Sequence, residues 1–355
     1  MPALETARIR TTTINLYLKK RIEYLYPEQP LFATIRTQGS NKFNASGKEI
    51  TWFPRIRRRR IVAVTAEQLQ AEFQAFSSRI VCSLPWRHYE LGERISEFEK
   101  LVNRGEQAIF KIVEEVVNEL TKDFIFDLAT KLVADASAAG SVEIAGFQTF
   151  MKQGPSFSNS PVRQVASGTT YAGLSCEYGA LGGGWSGNFP FGSGDPEYHA
   201  FSPLIVDARS TYWGTSQTWT QTWESCLRFG ATYLRVLKGV SPKVVVLDPE
   251  LLRQAKDTLK STYRLELARD SKLVSIGVKT LAFEDLELFD DPVMPANWAY
   301  MFDPKSIGLY SLYPDLIQKK GDDDITTQTD RILLSSWLQM VVDTPGVICG
   351  VYNGT

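Results

Sequence analysis

Residues 103–136 are the longest uninterrupted amphipathic stretch in this sequence. Asn103 and Glu106 have the spacing of a helix-capping box, in which each side chain satisfies a backbone amide of the first turn. Apolar residues then recur at steps of three and four, without an intervening proline. They are Ile109, Ile112, Val113, Val116, Leu120, Phe124, Leu128 and Leu132. A helix of this length is a rod of roughly 50 Å, so its apolar stripe must be buried against several other segments.

Composition bounds the class of protein. The chain has 355 residues, of which 43% are hydrophobic and 22% charged. These values exclude a mainly disordered or collagen-like chain and favour one large or two smaller domains. The four cysteines are far apart and lack CxxC spacing, so we expect free thiols and no metal site. No apolar run of membrane-spanning length and no signal-peptide core is present, so we expect a cytoplasm-like compartment and no membrane partner.

Charge is distributed unevenly along the chain. Residues 1–60 contain 13 of the 39 Lys and Arg but only 4 of the 40 Asp and Glu, a balance of +9. The remaining residues therefore have a balance of −10. A basic front end is consistent with contact to nucleic acid, with contact to the acidic body of a neighbouring copy, or with a solvated charged face.

An arginine tract, RIRRRR, concentrates this basic charge. It contributes five arginines: Arg55, Arg57, Arg58, Arg59 and Arg60. Each could add salt-sensitive affinity for a phosphate backbone, or clamp a carboxylate of an adjacent subunit in a bidentate pair. Because neighbouring side chains on a strand point to opposite faces, one phosphate surface cannot easily use all of them. The pattern favours a subunit contact.

The segments around the tract read as extended. Lys48–Pro54 and Arg60–Val64 precede a short helical candidate, and Arg79–Leu84 and Trp86–Ile95 follow it. Together they predict a long two-stranded loop that projects from the body and gains stability by lying on something else. Residues 1–38 read as an arm, with a helical candidate at Ile14–Tyr26 that Pro27 and Pro30 stop.

Residues 141–200 are rich in glycine and aromatic residues, and they predict a structural loop. No phosphate-binding or dinucleotide-binding motif is present there. A second helix is predicted over Gln217–Leu237. After it, Val244–Leu247 reads as a buried strand, followed by a turn at Asp248-Pro249 and a helix through Leu259. Further strands are predicted at Val278–Phe283, Trp298–Phe302, Ile307–Leu312, Ile332–Val342 and Val347–Tyr352.

Catalytic patterns are missing from the sequence. The two histidines, His88 and His199, have no motif partner, and neither GxSxG nor HExxH occurs. Asp322–Asp324 does not fit a calcium loop, and Asp290-Asp291 reads as a solvated loop. We therefore expect no enzyme activity, no catalytic residue, no cofactor and no bound metal.

With these features, the sequence resembles the major capsid proteins of tailed bacteriophages, whose shell fold is named after phage Hong Kong 97. The blocks that carry the resemblance are KEITWFPRIR, NRGEQAIFKIVEEVVNEL, TYAGLSCEYGALGGGWSGNFPFGSGDPEYHAFSPL, WGTSQTWTQTWESCLRFG and KVVVLDPELLRQAKDTL. The resemblance covers most of the chain from about residue 14 onward. The glycine-rich block and the strand-Asp-Pro block are its more specific parts, because long helices are common.

The resemblance implies an α+β fold with a defined division of the chain. It implies an N-terminal arm at 1–38, an extended two-stranded loop at 39–92, and a peripheral domain at 93–240 with a spine helix at 103–136. It also implies a mixed α/β axial domain at 241–345 and a C-terminal strand at 346–355. Because no scaffold-like extension precedes the arm, we expect scaffolding from a separate protein or from a segment that has been removed.

The function implied is structural. Subunits of this family form hexamers and pentamers of an icosahedral shell around double-stranded DNA, bound without sequence specificity. The resemblance implies assembly in the host cytoplasm, a place in the virion capsid, portal and scaffolding partners, and in some relatives a decoration protein. Two alternatives stay open: an encapsulin-like nanocompartment shell, and a monomeric enzyme or carbohydrate-binding module.

Overall fold

The computed structural model describes residues 29–58, 77–96, 106–138, 140–262, 280–324 and 329–354. The α-helices in these ranges are α1 (Pro30–Gln38), α2 (Glu106–Val133), α3 (Phe147–Phe150), α4 (Trp219–Tyr233) and α5 (Pro249–Thr262). The strands are β1 (Glu49–Trp52), β2 (Cys82–Pro85), β3 (Arg87–Ser96), β4 (Gln153–Ser156), β5 (Val162–Val165), β6 (Thr170–Tyr171), β7 (Leu174–Ser175), β8 (Trp185–Ser186), β9 (Ser193–Gly194), β10 (Leu204–Asp207), β11 (Val244–Leu247), β12 (Leu281–Phe283), β13 (Leu286–Asp290), β14 (Trp298–Phe302), β15 (Ile307–Ser311), β16 (Gln318–Asp324), β17 (Thr329–Val342) and β18 (Cys349–Tyr352).

Helix α2 is the predicted spine. It spans 28 residues and ends three residues before the predicted end at 136. Its side chains from residue 115 onward are described, and five of the buried ones recur at steps of four, with Ala129 and Val133 buried beside them. The five are Val116, Leu120, Phe124, Leu128 and Leu132. The stripe packs against α1, β3 and β17, which confirms this part of the predicted stripe. The predicted cap Asn103 lies outside the described residues.

Strand β17 is the centre of a four-stranded sheet. Its first ten residues pair antiparallel with β3 on one edge, while β16 and β15 pair with successive parts of the other edge. Leu334 and Leu338 are fully buried in the core cluster that contains the α2 stripe. Residues 87–92, which the sequence placed in the extended loop, therefore belong to this sheet. Strand β16 was not predicted, because QKKGDDD has no apolar alternation and forms a strand through its pairing with β17.

A second sheet has eight strands in the order β12-β13-β11-β14-β18-β10-β5-β4. The pairs β11/β13 and β10/β18 are parallel, and the other pairs are antiparallel. The predicted boundary between residues 240 and 241 runs through this sheet, since β5 and β10 precede it and β11 and β14 follow it. Residues on both sides of that boundary form one hydrogen-bonded layer, and β18 lies inside it instead of forming a separate C-terminal element.

The eight-stranded sheet is covered on both faces. In β11, Val244 and Val246 belong to the core cluster that contains α2, and Val245 and Leu247 belong to the cluster that contains α4 and α5. All four side chains are buried. This is why VVVL is a continuous apolar run instead of an alternating one. The strand was predicted with these bounds, and the turn at Asp248-Pro249 leads directly into α5 as predicted.

Helix α1 corrects the interpretation of residues 1–38 as an arm alone. Pro30, read as a stop signal, is the first residue of α1, where its missing amide hydrogen has no helical partner to lose. Leu31, Phe32 and Ile35 are buried in the main core. After the helix, the side-chain amide of Asn41 donates to the carbonyl oxygens of Ile35 and Arg36 at 3.0 and 2.7 Å. Residues 30–38 are thus part of the body.

Asp291 anchors the start of α1. Its carboxylate is fully buried and accepts hydrogen bonds from the backbone amides of Leu31 at 2.8 Å and Val293 at 2.9 Å. A carboxylate at a helix N-terminus satisfies an unpaired amide and interacts favourably with the helix dipole. The interpretation of Asp290-Asp291 as a solvated loop was wrong for Asp291, because its partner lies 260 positions away in the sequence.

Gly146 limits how α2 ends. A Cβ at this position would lie 2.5, 2.6 and 2.7 Å from the carbonyl oxygens of Ala134, Leu132 and Lys131. We expect Gly146→Ala to lower the free energy of unfolding by about 1–3 kcal/mol, because the last turn of α2 must shift. Chemical denaturation measures this. Gly184→Ala is the control, since its Cβ meets no atom within 4 Å. Equal stability of the two variants would contradict the steric argument.

The stability of the protein should depend on pH through Asp291. Burial, and then the neighbouring Asp290, raise the pKa of the Asp291 carboxyl. A carboxyl with a raised folded-state pKa contributes stability that is fully present below its unfolded pKa and is lost as pH rises through the folded pKa. We therefore expect the stability of the wild type, relative to Asp291→Asn, to increase as the pH is lowered from 7 to 4. Urea denaturation at both values measures the difference, and a pH-independent difference would refute the assignment.

Candidate subunit interface

A two-stranded ribbon carries the arginine tract. Strands β1 and β2 pair antiparallel, with Trp52 opposite Cys82, and an isolated bridge between Arg55 and Arg79 continues the ladder. The amide of Ile56 also donates to the carbonyl oxygen of Ser78 at 3.0 Å. The predicted pairing of extended segments around the tract is therefore confirmed at the base of the ribbon. Its remaining part, residues 59–76, lies outside the described residues.

One face of the ribbon base is fixed to the body. Ile50, Ile56, Cys82 and Leu84 are buried. The indole nitrogen of Trp52 donates to the carbonyl oxygen of Asp343 at 2.8 Å. Further along, the amide of Ser83 donates to Ala172 and the side chain of Gln339 donates to Pro85. The base of the ribbon thus lies flat on the body, and these contacts hold its other face outward.

The arginines of the tract occupy different environments. Arg55 and Arg58 are exposed. Arg57 is half-buried, with its Nε 3.6 Å from a carboxylate oxygen of Glu197 and its Nη2 3.5 Å from the carbonyl oxygen of Leu181. Arg57 therefore ties the ribbon to the glycine-rich segment of its own chain. Arg59 and Arg60 lie outside the described residues, so the predicted role of the tract in a subunit contact stays a prediction.

The glycine-rich segment is built as predicted, from glycines with positive φ and aromatic anchors. Hairpins β6/β7 and β8/β9 form within it, and Gly179, Gly182 and Gly183 have φ between 78° and 99°. Trp185 packs near Phe189, Tyr198 and His199, with ring centroids 5.1–5.7 Å apart. The aromatic rings hold a segment that has little regular secondary structure.

Both histidines pack against aromatic side chains. His88 stacks on Trp337 with ring centroids 4.2 Å apart, and its Nε2 is 3.2 Å from Glu90. His199 is buried among aromatic rings, and desolvation, followed by the charge of Lys238, lowers its pKa to about 4. A histidine that stays neutral at physiological pH and is sealed from solvent is poorly suited to exchange protons with a substrate.

Lys238 is a polar anchor that the sequence did not reveal. Its ammonium group donates to the backbone carbonyl oxygens of His199 and Ser202, the second at 3.2 Å. Burial lowers its pKa to about 7. Lys238 ends the π-helical turn Leu234–Lys238 that follows α4, so its contacts join this turn to the end of the glycine-rich segment. The sequence did not indicate this role for Lys238, because its partners are backbone carbonyl oxygens, which every residue has.

The cysteines are free, as predicted, and all four are buried. Burial raises the pKa of Cys82 to about 11 and that of Cys226 to about 12, so both stay protonated. None of the described helices is both long and apolar enough to cross a membrane. Within the described ranges, no three His, Cys, Asp or Glu residues are grouped in a way that could hold a metal ion.

Comparisons with known proteins give a structural match without a sequence match. No family model and no curated protein sequence matches the chain. The capsid of cyanophage A-1(L) superposes with a TM-score of 0.62 at 16% identity, covering 94% of this chain and 95% of that one. The capsid of an empty GTA particle gives 0.56 at 13% identity and 96% coverage of both chains.

An encapsulin complex from Synechococcus elongatus also matches, with a TM-score of 0.50 at 7% identity, covering 96% of this chain and 94% of that chain. At these identities the likeness concerns the fold. The predicted α+β class and the predicted shell-protein fold are both confirmed. The chain has the Hong Kong 97-type fold of phage major capsid proteins.

Proposed function

We propose that this protein is the major capsid protein of a tailed phage, a structural subunit that assembles into hexamers and pentamers of an icosahedral shell around double-stranded DNA. The observation that supports this most is the likeness to the cyanophage capsid along 94% of this chain and 95% of the other. The likeness therefore extends over a complete shell subunit and is not limited to one common domain.

The geometry suits repeated head-to-tail contacts between copies. A heterologous contact, in which one surface of a subunit meets a different surface of the next, closes into a ring when its rotation is a whole fraction of a turn. The ribbon supplies such a surface, since one face is fixed to its own body while Arg55 and Arg58 are exposed. Many weak contacts per subunit then give a stable shell by multivalency.

The proposal includes the tract arginines as interface residues. Arg55, Arg58, Arg59 and Arg60 form the proposed contact with an adjacent copy, while Arg57 also holds the ribbon on its own chain through Glu197. Bidentate pairing of guanidinium groups with carboxylates supplies directional contacts between copies. The acidic balance of residues 61–355 supplies the complementary charge.

The partners follow from the same role. We propose that the protein binds packaged DNA without sequence specificity, works with portal and scaffolding proteins and, in the mature particle, with a decoration protein. It assembles in the host cytoplasm, resides in the virion capsid, and catalyses no reaction.

A nanocompartment shell is the second candidate, and the match to an encapsulin complex supports it. It differs from the first candidate in cargo, since it would enclose a protein instead of a genome.

Expression of the full chain with its cognate scaffolding protein should give closed particles. Negative-stain imaging and sedimentation measure this. The cargo is identified in particles purified from the natural source, by nuclease digestion followed by sequencing of the protected nucleic acid. Encapsidated phage-length DNA supports the capsid, and a co-purifying enclosed enzyme supports the nanocompartment. A species that sediments only as a monomer under all assembly conditions would contradict both.

Reversing the charge of the outer tract should block assembly without unfolding the subunit. In the variant Arg58→Glu/Arg59→Glu/Arg60→Glu, Arg57 is retained because it contacts Glu197. We expect an unchanged circular dichroism spectrum and no particles on a gradient, since repulsion from an acidic neighbour is repeated at every contact. The control reverses three scattered exposed residues, Arg36, Arg235 and Lys305. Particles of normal size from the tract variant would argue against its interface role.

A further inference from the structure

The outward face of the ribbon base has a composition that no contact among the described residues of the subunit explains. Residues that lie opposite each other in an antiparallel ladder share a face. The register that pairs Thr51 with Ser83 and Arg55 with Arg79 places Phe53 opposite Val81, between these two pairs. An apolar pair therefore lies next to an arginine pair on one face of the ribbon.

The apolar pair is exposed. Phe53 and Val81 each expose 57% of their surface. They cannot turn inward, because the inner face already carries Ile50, Cys82 and Leu84, and a change of face needs a one-residue register slip. Surfaces that a protein partner covers group exposed apolar side chains together in this way, whereas apolar residues scattered singly over a surface need no partner.

The arginine pair is unfavourable in the isolated subunit. Arg55 and Arg79 are both exposed, and like charges directly opposite in a ladder are destabilising. Within the part of the chain that the structure describes, neither guanidinium forms an ion pair with a carboxylate. The side-chain hydrogen bond of Arg55 runs from its Nε to the carbonyl oxygen of Arg57 at 3.3 Å, which leaves the positive charge uncompensated.

We propose that this outer face, formed by Phe53, Arg55, Arg79 and Val81, is a docking surface for a second copy of the chain. The inference rests on the shell function proposed above, and it adds Phe53, Arg79 and Val81 to the contact. The occupant is an acidic and partly apolar area of the neighbour's body. A carboxylate placed between the two guanidinium groups removes their repulsion, and the apolar pair loses its exposed surface to the same neighbour.

Charge complementarity identifies the occupant. Residues 61–355 have a balance of −10, whereas the charges at this end of the ribbon are positive. Among the described residues of this face, Glu49 is the acidic one, and it lies at the opposite end of β1. A nucleic-acid backbone would match the arginines but would gain nothing from Phe53 and Val81, since phosphates are not apolar. A protein surface matches both pairs.

The test compares stability before assembly with assembly itself. Arg79→Gln removes one charge of the pair, Val81→Thr replaces an apolar side chain by a polar β-branched one, and Arg235→Gln is the control at an exposed arginine of the body. Nuclease-treated subunits are first measured by thermal denaturation. The critical concentration for particle formation is then measured by light scattering, with scaffolding protein added equally to all samples, once without nucleic acid and once with added double-stranded DNA.

We expect Arg79→Gln to leave the thermal midpoint unchanged or to raise it by about 1–2 °C, because a like-charge repulsion is removed. The same variant should raise the critical concentration about tenfold, and Val81→Thr should raise it as well. Arg235→Gln should change neither quantity.

Three outcomes would overturn the inference. If Arg79→Gln and Val81→Thr assemble like the wild type, the face is not a contact. If Arg79→Gln lowers the thermal midpoint of the unassembled subunit and also raises the critical concentration, Arg79 has a structural role within the subunit. If Arg79→Gln weakens assembly only when nucleic acid is present, the arginines bind nucleic acid. A wild type that never forms particles contradicts the proposed shell function instead.

Discussion

Burial of the apolar stripe of α2 connects the parts of this molecule. The side chains from Val116 to Leu132 pack against α1, β3 and β17, so one helix holds the helix before the ribbon, the strand after it and the long central strand of the four-stranded sheet. Burial of each large apolar side chain contributes roughly 1.5–3 kcal/mol, so a stripe of five is a major stabilising element. The ribbon has its position because its two ends are attached to elements that this stripe fixes.

The two sheets have different roles in the fold. The eight-stranded sheet is covered on both faces, with α4 and α5 on one side. The four-stranded sheet lies on α2 and carries the ribbon at its side, through the hydrogen bond from Gln339 to Pro85. In the proposed shell, firm attachment of the ribbon would matter, because a contact repeated many times requires the same geometry in each copy.

The inner and outer faces of the ribbon affect the stability of a single subunit in opposite ways. Its inner face needs apolar residues to attach it, and they are buried. Its outer face keeps Phe53 and Val81 in solvent and sets Arg55 opposite Arg79, which is unfavourable until something covers it. A subunit that is less stable at one face than it need be gains driving force for association at that face. The proposed interface therefore lowers the stability of the free subunit and favours assembly.

Elements whose signal is local could be predicted from the sequence. Periodicity of three and four predicted α2, a continuous apolar run predicted β11, and the turn chemistry of Asp248-Pro249 predicted the start of α5. The pairing of strands and the burial of charged groups depend on the tertiary structure. Asp291 is buried because Leu31, 260 positions away, offers an unpaired amide. Arg79 becomes significant only when pairing sets it opposite Arg55. Such contacts depend on how distant segments meet, and periodicity within a window of about 15 residues contains no information on that.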